Sequence, residues 1–188
     1  MAVKLISVED TPITEELVVE FLRLNAADVQ SDTLAMCING AIGHVENITA
    51  RSIKEQTLEL ALDAFPTAEI KLPHGPVNSI VSVEYTDAAG GTQLLVAPDY
   101  YLDDYGDEWW LLPAYDTEWP DTRAEANAVR IQYETGYVEA DLPDSLRAAI
   151  LLCAQDLYDN RGAQSDKQLS ENRTVMNLLN PYRIGLGV

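Results

Sequence analysis

With 188 residues, 47% of them apolar, the chain has room for one domain with a real core, or for one domain carrying a sizeable insertion, and bulk disorder is excluded. Its 31 acidic residues against 12 basic ones give a formal charge of −19, which repels phosphate backbones and anionic membranes and argues against sequence-specific duplex binding. No apolar run approaches the length of a membrane span, and the N-terminus lacks a signal peptide's basic-then-apolar layout, so the expectation is a soluble protein made in a cytoplasm.

Residues 1–10 read as a short extended arm whose sticky points are Leu5 and Ile6. Thr14 is placed to cap a helix running to about Leu24, with Glu15 and Glu16 opposing the positive end of its dipole. Leu17, Phe21 and Leu24 would line the inner face. Ser31 or Asp32 then caps a second helix, ending near Ala50, with Leu34, Cys37, Ile38, Ala41, Val45 and Ile48 as its apolar stripe and Ile42 alongside. Gly40 and Gly43 lie inside that helix. Each costs about 1 kcal/mol relative to alanine, so close approach by another helix is the natural reason to keep them.

From Lys54 the apolar period changes from 3.6 to 2. Leu58, Leu60 and Leu62 alternate with Thr57, Glu59 and Ala61, and Val81, Val83 and Tyr85 alternate with Ser82, Glu84 and Thr86. Residues 87–91 supply a turn, and 93–96 can return as the hairpin partner. Further strands are predicted at 100–102, at 109–112 and around Val129, Ile131 and Tyr133. Prolines 66, 73, 76, 98, 113 and 120 mark edges and turns, and 113–127 is a long loop of the kind that carries a function or a partner.

Helical spacing resumes in residues 143–162, where Leu146, Ile150, Cys153, Leu157 and Tyr158 recur at steps of three and four beside Ala149 and Ala154. Pro143 suits the first helical position, Asp141 and Asp144 suit the N-terminal dipole, and Arg161 and Gly162 suit the C-terminal end. Leu151 and Leu152 carry apolar surface outside the main stripe, so this helix is either the central core helix or is also covered by another copy of the chain. A polar linker, 163–170, precedes a short amphipathic helix around 172–179 carrying Val175, Met176, Leu178 and Leu179, and a tail, 181–188, with Tyr182, Arg183, Ile184 and Leu186. The periods therefore predict an α+β fold. Segments 1–54 and 142–188 form a helical bundle, and 55–141 is a mainly antiparallel β-rich insertion.

No phosphate-binding glycine loop, nucleophile elbow, HExxH or paired CxxC is present, so the sequence predicts neither an enzyme nor a cofactor. Cys37 and Cys153 fall on apolar helical faces and read as small core residues, with a disulfide or reactive thiol as the alternative. His44 and His74 have no metal-ligand spacing. The acids Asp103, Asp104, Asp107 and Glu108 lack the alternating oxygens of a calcium loop and read as a solvated acidic loop. Trp109, Trp110 and Trp119 beside carboxylates could line a sugar cleft, though packing on a small sheet explains them as well. Arg147, Arg161, Arg173 and Arg183 are either ordinary surface charges or docking points for an acidic neighbour. The charge is uneven: residues 55–146 hold 19 acidic and 3 basic groups, residues 147–188 hold 4 and 5.

Seven stretches in order, ITEELVVEFLRL, GAIGHVENITARS with QTLELALDAFP, IKLPHGPVNSIVSVEYTDAAG, LLPAYDTEWP, NAVRIQYETGY and PDSLRAAILLCAQDLYDNRG, make the chain resemble the head–tail connector (adaptor) proteins of tailed bacteriophages, over about residues 3–182. The acidic DDYGDE segment departs from that pattern. The resemblance implies a structural virion protein without cofactor, located in the neck after a period in the host cytoplasm. It implies a ring of copies, twelve in the virion, beneath the portal protein, extending the channel through which genome DNA passes without specific binding, and docking the next neck or tail protein. Arg147, Leu151, Leu152, Arg161, Tyr182, Arg183 and Ile184 are the candidate portal or subunit contacts, and Asp103, Asp104, Asp107 and Glu108, with Asp116, Glu118 and Asp121 nearby, the candidate channel or rim acids. The rival classes are an acidic monomeric binding module that mimics DNA and, more remotely, a carbohydrate-active enzyme.

Overall fold

The computed structural model describes residues 1–25, 29–160 and 173–185. Among them the fold is mixed α+β, with four helices and two antiparallel sheets. The chain divides into two compact units, one of residues 1–10 and 54–136, the other of 11–53 and 137–188.

Among the described residues, the first unit contains every strand. Its larger sheet has the order β1 (Ala2–Asp10), β2 (Glu55–Leu62), β8 (Val129–Thr135), β4 (Val77–Thr86), β5 (Thr92–Leu95). The smaller has β3 (Ile70–Leu72), β7 (Trp109–Pro113) and β6 (Tyr100–Asp103). The central strand β8 follows the strict alternation read from its sequence: Val129, Ile131, Tyr133 and Thr135 are buried, and Arg130 and Glu134 are exposed. Leu58, Leu60 and Leu62 of β2 stand opposite Tyr133, Ile131 and Val129, so the apolar rows of the two strands meet on one face.

Two expectations change here. Residues 1–10 are a paired strand of the sheet unit, with Leu5 opposite Leu58 and Val3 opposite Leu60. They are not an arm of the helical part. In β4 the alternation of Val81 with Val83 fails, because the register steps from Ile80↔Tyr133 to Ser82↔Gln132. Val81 is the extra residue of a β-bulge and points out, 50% exposed, while Val83 is fully buried.

The turn PHGP between β3 and β4 locks this unit through its carbonyls. Tyr133 Oη donates to the Pro73 carbonyl at 2.9 Å, and Thr135 Oγ1 lies 2.5 Å from the His74 carbonyl and 2.7 Å from that of Pro76. The Gly136 N–H donates to Pro76 at 3.0 Å. Gly75 is buried against the indole of Trp109, in space that any Cβ would have to share with the ring. Burial raises the Tyr133 phenol well above its ordinary value, in keeping with a donor held inside the sheet unit.

The second unit contains α1 (Glu15–Leu22), α2 (Ser31–Thr49), α3 (Asp144–Asp159) and α4 (Arg173–Leu179). Thr14 caps α1 as read, its Oγ1 accepting from the Leu17 N–H at 3.3 Å. The buried residue of α1 is Val18, whereas Phe21 is 41% exposed, so the inner face is turned from the one expected. Leu34, Ile38, Ala41, Ile42 and Val45 of α2 pack with Leu146, Ala149, Ile150 and Ala154 of α3 and with Val175 and Leu179 of α4. Ser31 does not cap α2 with its side chain; its hydroxyl donates to the Glu15 carboxylate instead, lying 2.7 and 2.9 Å from its two oxygens. Pro143 is the cap residue of α3, one place before the position expected, and Asn160 ends the helix. The stop assigned to Arg161 and Gly162, and the linker 163–170, lie outside the described residues.

Candidate assembly surfaces

The candidate contact residues fall into three environments. Leu151 is buried in the helical core, so this chain itself covers it, and only Leu152 keeps partial exposure beside that core. Arg147 is half-buried; its Nη2 donates to the Glu139 carbonyl at 2.7 Å, while Nε is buried without a hydrogen-bond partner. Arg161 lies outside the described residues.

Residues 180–184 are tied into the helical unit. Residues 180–182 form a 3-10 turn. The Tyr182 carbonyl accepts from Nε of the buried Arg51 at 2.7 Å, and the Ile184 N–H donates to the Thr49 carbonyl at 3.0 Å. Tyr182 and Ile184 are half-buried within the unit, and Arg183 is exposed. The sequence missed this because the partners, Thr49 at the end of α2 and Arg51 just beyond it, lie more than 130 residues earlier and carry no local signal.

The acidic loop joins β6 to β7. Asp103, Asp104 and Asp107 are exposed, and Asp103 accepts from the Tyr105 N–H at 3.1 Å, a local turn bond. Glu108 is different: it is half-buried and ion-paired with Lys71, whose Nζ also sits 5.6 Å from the Trp110 ring centroid. That carboxylate is neutralised inside its own unit. Asp116, Glu118 and Asp121 are exposed on the following loop. This loop is pinned, since Trp119 stacks on Phe65 at 4.9 Å and donates to the Ala68 carbonyl at 2.8 Å. The three tryptophans therefore have separate neighbours, Gly75, Lys71 and Phe65.

Among the described residues, no group of three or more His, Cys, Asp or Glu side chains is placed to hold a metal, and no helix is long and apolar enough to cross a membrane. Cys37 and Cys153 are free thiols. Burial, helped by the nearby Asp156 charge, pushes the Cys153 thiol up to about 11. His44 and His74 are exposed.

One surface feature was not legible in advance. Val3, Leu5 and Val8 of β1 are 37%, 51% and 49% exposed, although all three are paired opposite residues of β2. A bulge at Ile6 shifts the phase by one residue, so Val3, Leu5 and Val8 share the face of Leu60, Leu58 and Gln56. A plain period of 2 cannot reveal a row spaced two and then three.

No protein-family model matches the chain, and no curated protein matches it in sequence. Solved structures do match it over its whole length. A chain in the neck of an empty gene transfer agent (GTA) particle, computed with sixfold symmetry, superposes with a TM-score of 0.83 at 22% identity, covering 100% of this chain and 98% of that one. A chain in the virion of a native GTA particle gives 0.78 at 23% identity, and one in the native GTA neck computed with twelvefold symmetry gives 0.76 at 23%, with the same coverage. This protein has the same fold as those chains.

Proposed function

We propose that this protein is a structural neck component of a tailed-phage-like particle, a head–tail adaptor that forms a ring beneath the portal, extends the DNA channel and docks the next neck or tail protein. The observation that carries the reading is end-to-end likeness of fold to neck chains, covering 100% of this chain and 98% of its counterpart. A ring of twelve is compatible with necks treated with sixfold or twelvefold symmetry, because twelve contains both. The partners are neighbouring copies, the portal and the next neck or tail protein. No catalysis or cofactor is part of the role, and the assembled protein belongs to the virion after a stage in the host cytoplasm.

In this reading Arg147, Leu152, Arg183 and the flanks of Tyr182 and Ile184 contribute to portal or subunit contacts. The exposed acids Asp103, Asp104 and Asp107, or Asp116, Glu118 and Asp121, face the channel or its mouth. Carboxylates repel phosphate over a Debye length of about 8–10 Å at ordinary salt, so DNA slides past them without sticking. Glu108 is left out of this set because Lys71 neutralises it.

Negative-stain imaging and sedimentation of concentrated protein test the reading. Closed rings with a central opening are expected. A monomer at every concentration would point to the acidic binding module instead. For the acids, amides at 103, 104 and 107 should slow DNA ejection in a salt-dependent way if they face the channel. Unchanged ejection with poorer solubility would make them rim residues.

A further inference from the structure

The larger sheet has two outer edges, β1 and β5, and among the described residues no strand pairs outside either one. An open edge presents unpaired N–H and C=O groups and templates pairing with another chain unless it is blunted by charge, proline or bulges. β1 has no proline, and its register breaks at Ile6 and at Glu9, so its regular part is residues 2–5. β5, Thr92–Leu95, is also four residues long. The two usable edges match in length.

Both edges also carry apolar side chains that their own unit leaves uncovered. On one face, Val3 and Leu5 extend the buried row of Leu60 and Leu58, and Leu95 of β5, opposite Val83, lies half-buried on that same face. On the other face Leu94 is 57% exposed. Charge is scarce at both edges: residues 2–5 contain only Lys4, and β5 contains none, in a chain of net charge −19. Two copies can meet there without juxtaposing carboxylates.

Resting on the ring reading above, we propose that the outer edge of β1 pairs with the outer edge of β5 of a second copy, so that ring neighbours share one continuous sheet. A closed ring requires a heterologous contact, in which two different surfaces of the same chain meet head to tail. Pairing β1 with β1 would end at a two-fold dimer. Pairing β1 with β5 leaves one edge of each kind free at every step, so it propagates until the ring closes.

Cysteine cross-linking tests this. Ala2 and Lys4, opposite Ala61 and Glu59, share one face of the sheet with Thr92 and Leu94, opposite Thr86 and Glu84. Within one copy the two edges are four strand spacings apart, about 19 Å, well beyond the roughly 7 Å limit between Cα atoms that a disulfide spans. Any bond between them is therefore between copies. Four double variants, each joining Ala2→Cys or Lys4→Cys with Thr92→Cys or Leu94→Cys, cover parallel and antiparallel pairing. Each is oxidised with diamide in concentrated protein that is imaged in parallel, after a thermal melt confirms folding. With the native thiols removed (Cys37→Ala, Cys153→Ala) in every variant, we expect at least one pair to give a reducible ladder longer than a dimer, where controls with one introduced cysteine stop at dimer. Adding Leu5→Lys, at a position already half in solvent, should abolish the ladder. Rings without a ladder from any pair would overturn the edge contact and leave the ring reading intact. Neither rings nor ladder would overturn both.

Discussion

Nε of Arg51 donates a 2.7 Å hydrogen bond to the carbonyl of Tyr182, tying the residue just past α2 to the C-terminal turn. Arg51 is only 5% exposed, so removing the guanidinium leaves an acceptor that water reaches poorly. Arg51→Met keeps the stem and should destabilise the protein by about 2 kcal/mol, the scale of a hydrogen bond from a charged donor. Hydrogen exchange should rise at residues 180–184. Truncation after Leu179 should lower the melting temperature as well. An unchanged melt in both variants would show that the segment is not part of the fold.

Gly75 and Trp109 form the second tight relationship. A Cβ at 75 would fall within the indole, and the adjacent carbonyls of Pro73, His74 and Pro76 are already committed to Tyr133 and Thr135. Gly75→Ala should therefore cost at least about 1–3 kcal/mol, the usual range for overpacking. Tryptophan fluorescence during urea unfolding reads it directly, and a midpoint equal to wild type would contradict the packing described.

The two glycines of α2 should respond differently to alanine. A Cβ at Gly40 would lie 3.2 Å from Cδ1 of Leu157, while one at Gly43 meets nothing within 4 Å. Gly43→Ala should thus gain up to about 1 kcal/mol from helix propensity in the free subunit, and Gly40→Ala should gain less or lose. Paired thermal melts decide it. Equal gains would mean that close approach by Leu157 is not what keeps Gly40.

Cys153 should behave as a protected thiol. Its value is raised from 9.0 to about 11, so at pH 8 the folded state holds about a hundredfold less thiolate than the unfolded one. Iodoacetamide labelling should be slow in buffer and fast in denaturant. The folded state keeps its proton more tightly, so this contribution to stability is complete below about pH 9 and is lost as pH rises from 9 towards 11. Cys153→Ala should flatten that alkaline decline, and rapid labelling of the native protein at pH 8 would refute the assignment.

Asp87 gives an opposite, acidic signature. Its carboxylate accepts from the side chain of Gln93 and from the Gly91 and Ala89 N–H groups, and these bonds hold its pKa below 3.8. The favourable contribution is present above 3.8 and is lost as pH falls through the lower folded value. Asp87→Asn should weaken the β4–β5 hairpin at neutral pH and lessen its acid sensitivity below pH 4. Chemical shifts of Ala89 and Gly91 that do not move between pH 5 and 2 would rule this out.

Sequence alone determined the elements whose neighbours are local. The 3.6-residue stripes of α2 and α3, the cap at Thr14 and the alternation along β8 each depend on residues a few positions apart, so period and capping chemistry suffice to find them. The apolar period changes near Lys54 and returns near Pro143, whereas the two units divide at 10/11, 53/54 and 136/137. The ordered motifs also carried the resemblance to head–tail connector proteins from which the function is proposed. Only tertiary structure could decide that residues 1–10 join the sheet, because a strand's membership depends on the partner it finds, and Leu58 lies 53 residues beyond Leu5. The bulges at Ile6 and Val81 likewise reverse which side chains are covered, and a single inserted residue leaves no mark on composition. The same holds for Glu108 with Lys71 and for Arg51 with Tyr182, where burial and charge pairing arise from chain segments that meet only after folding.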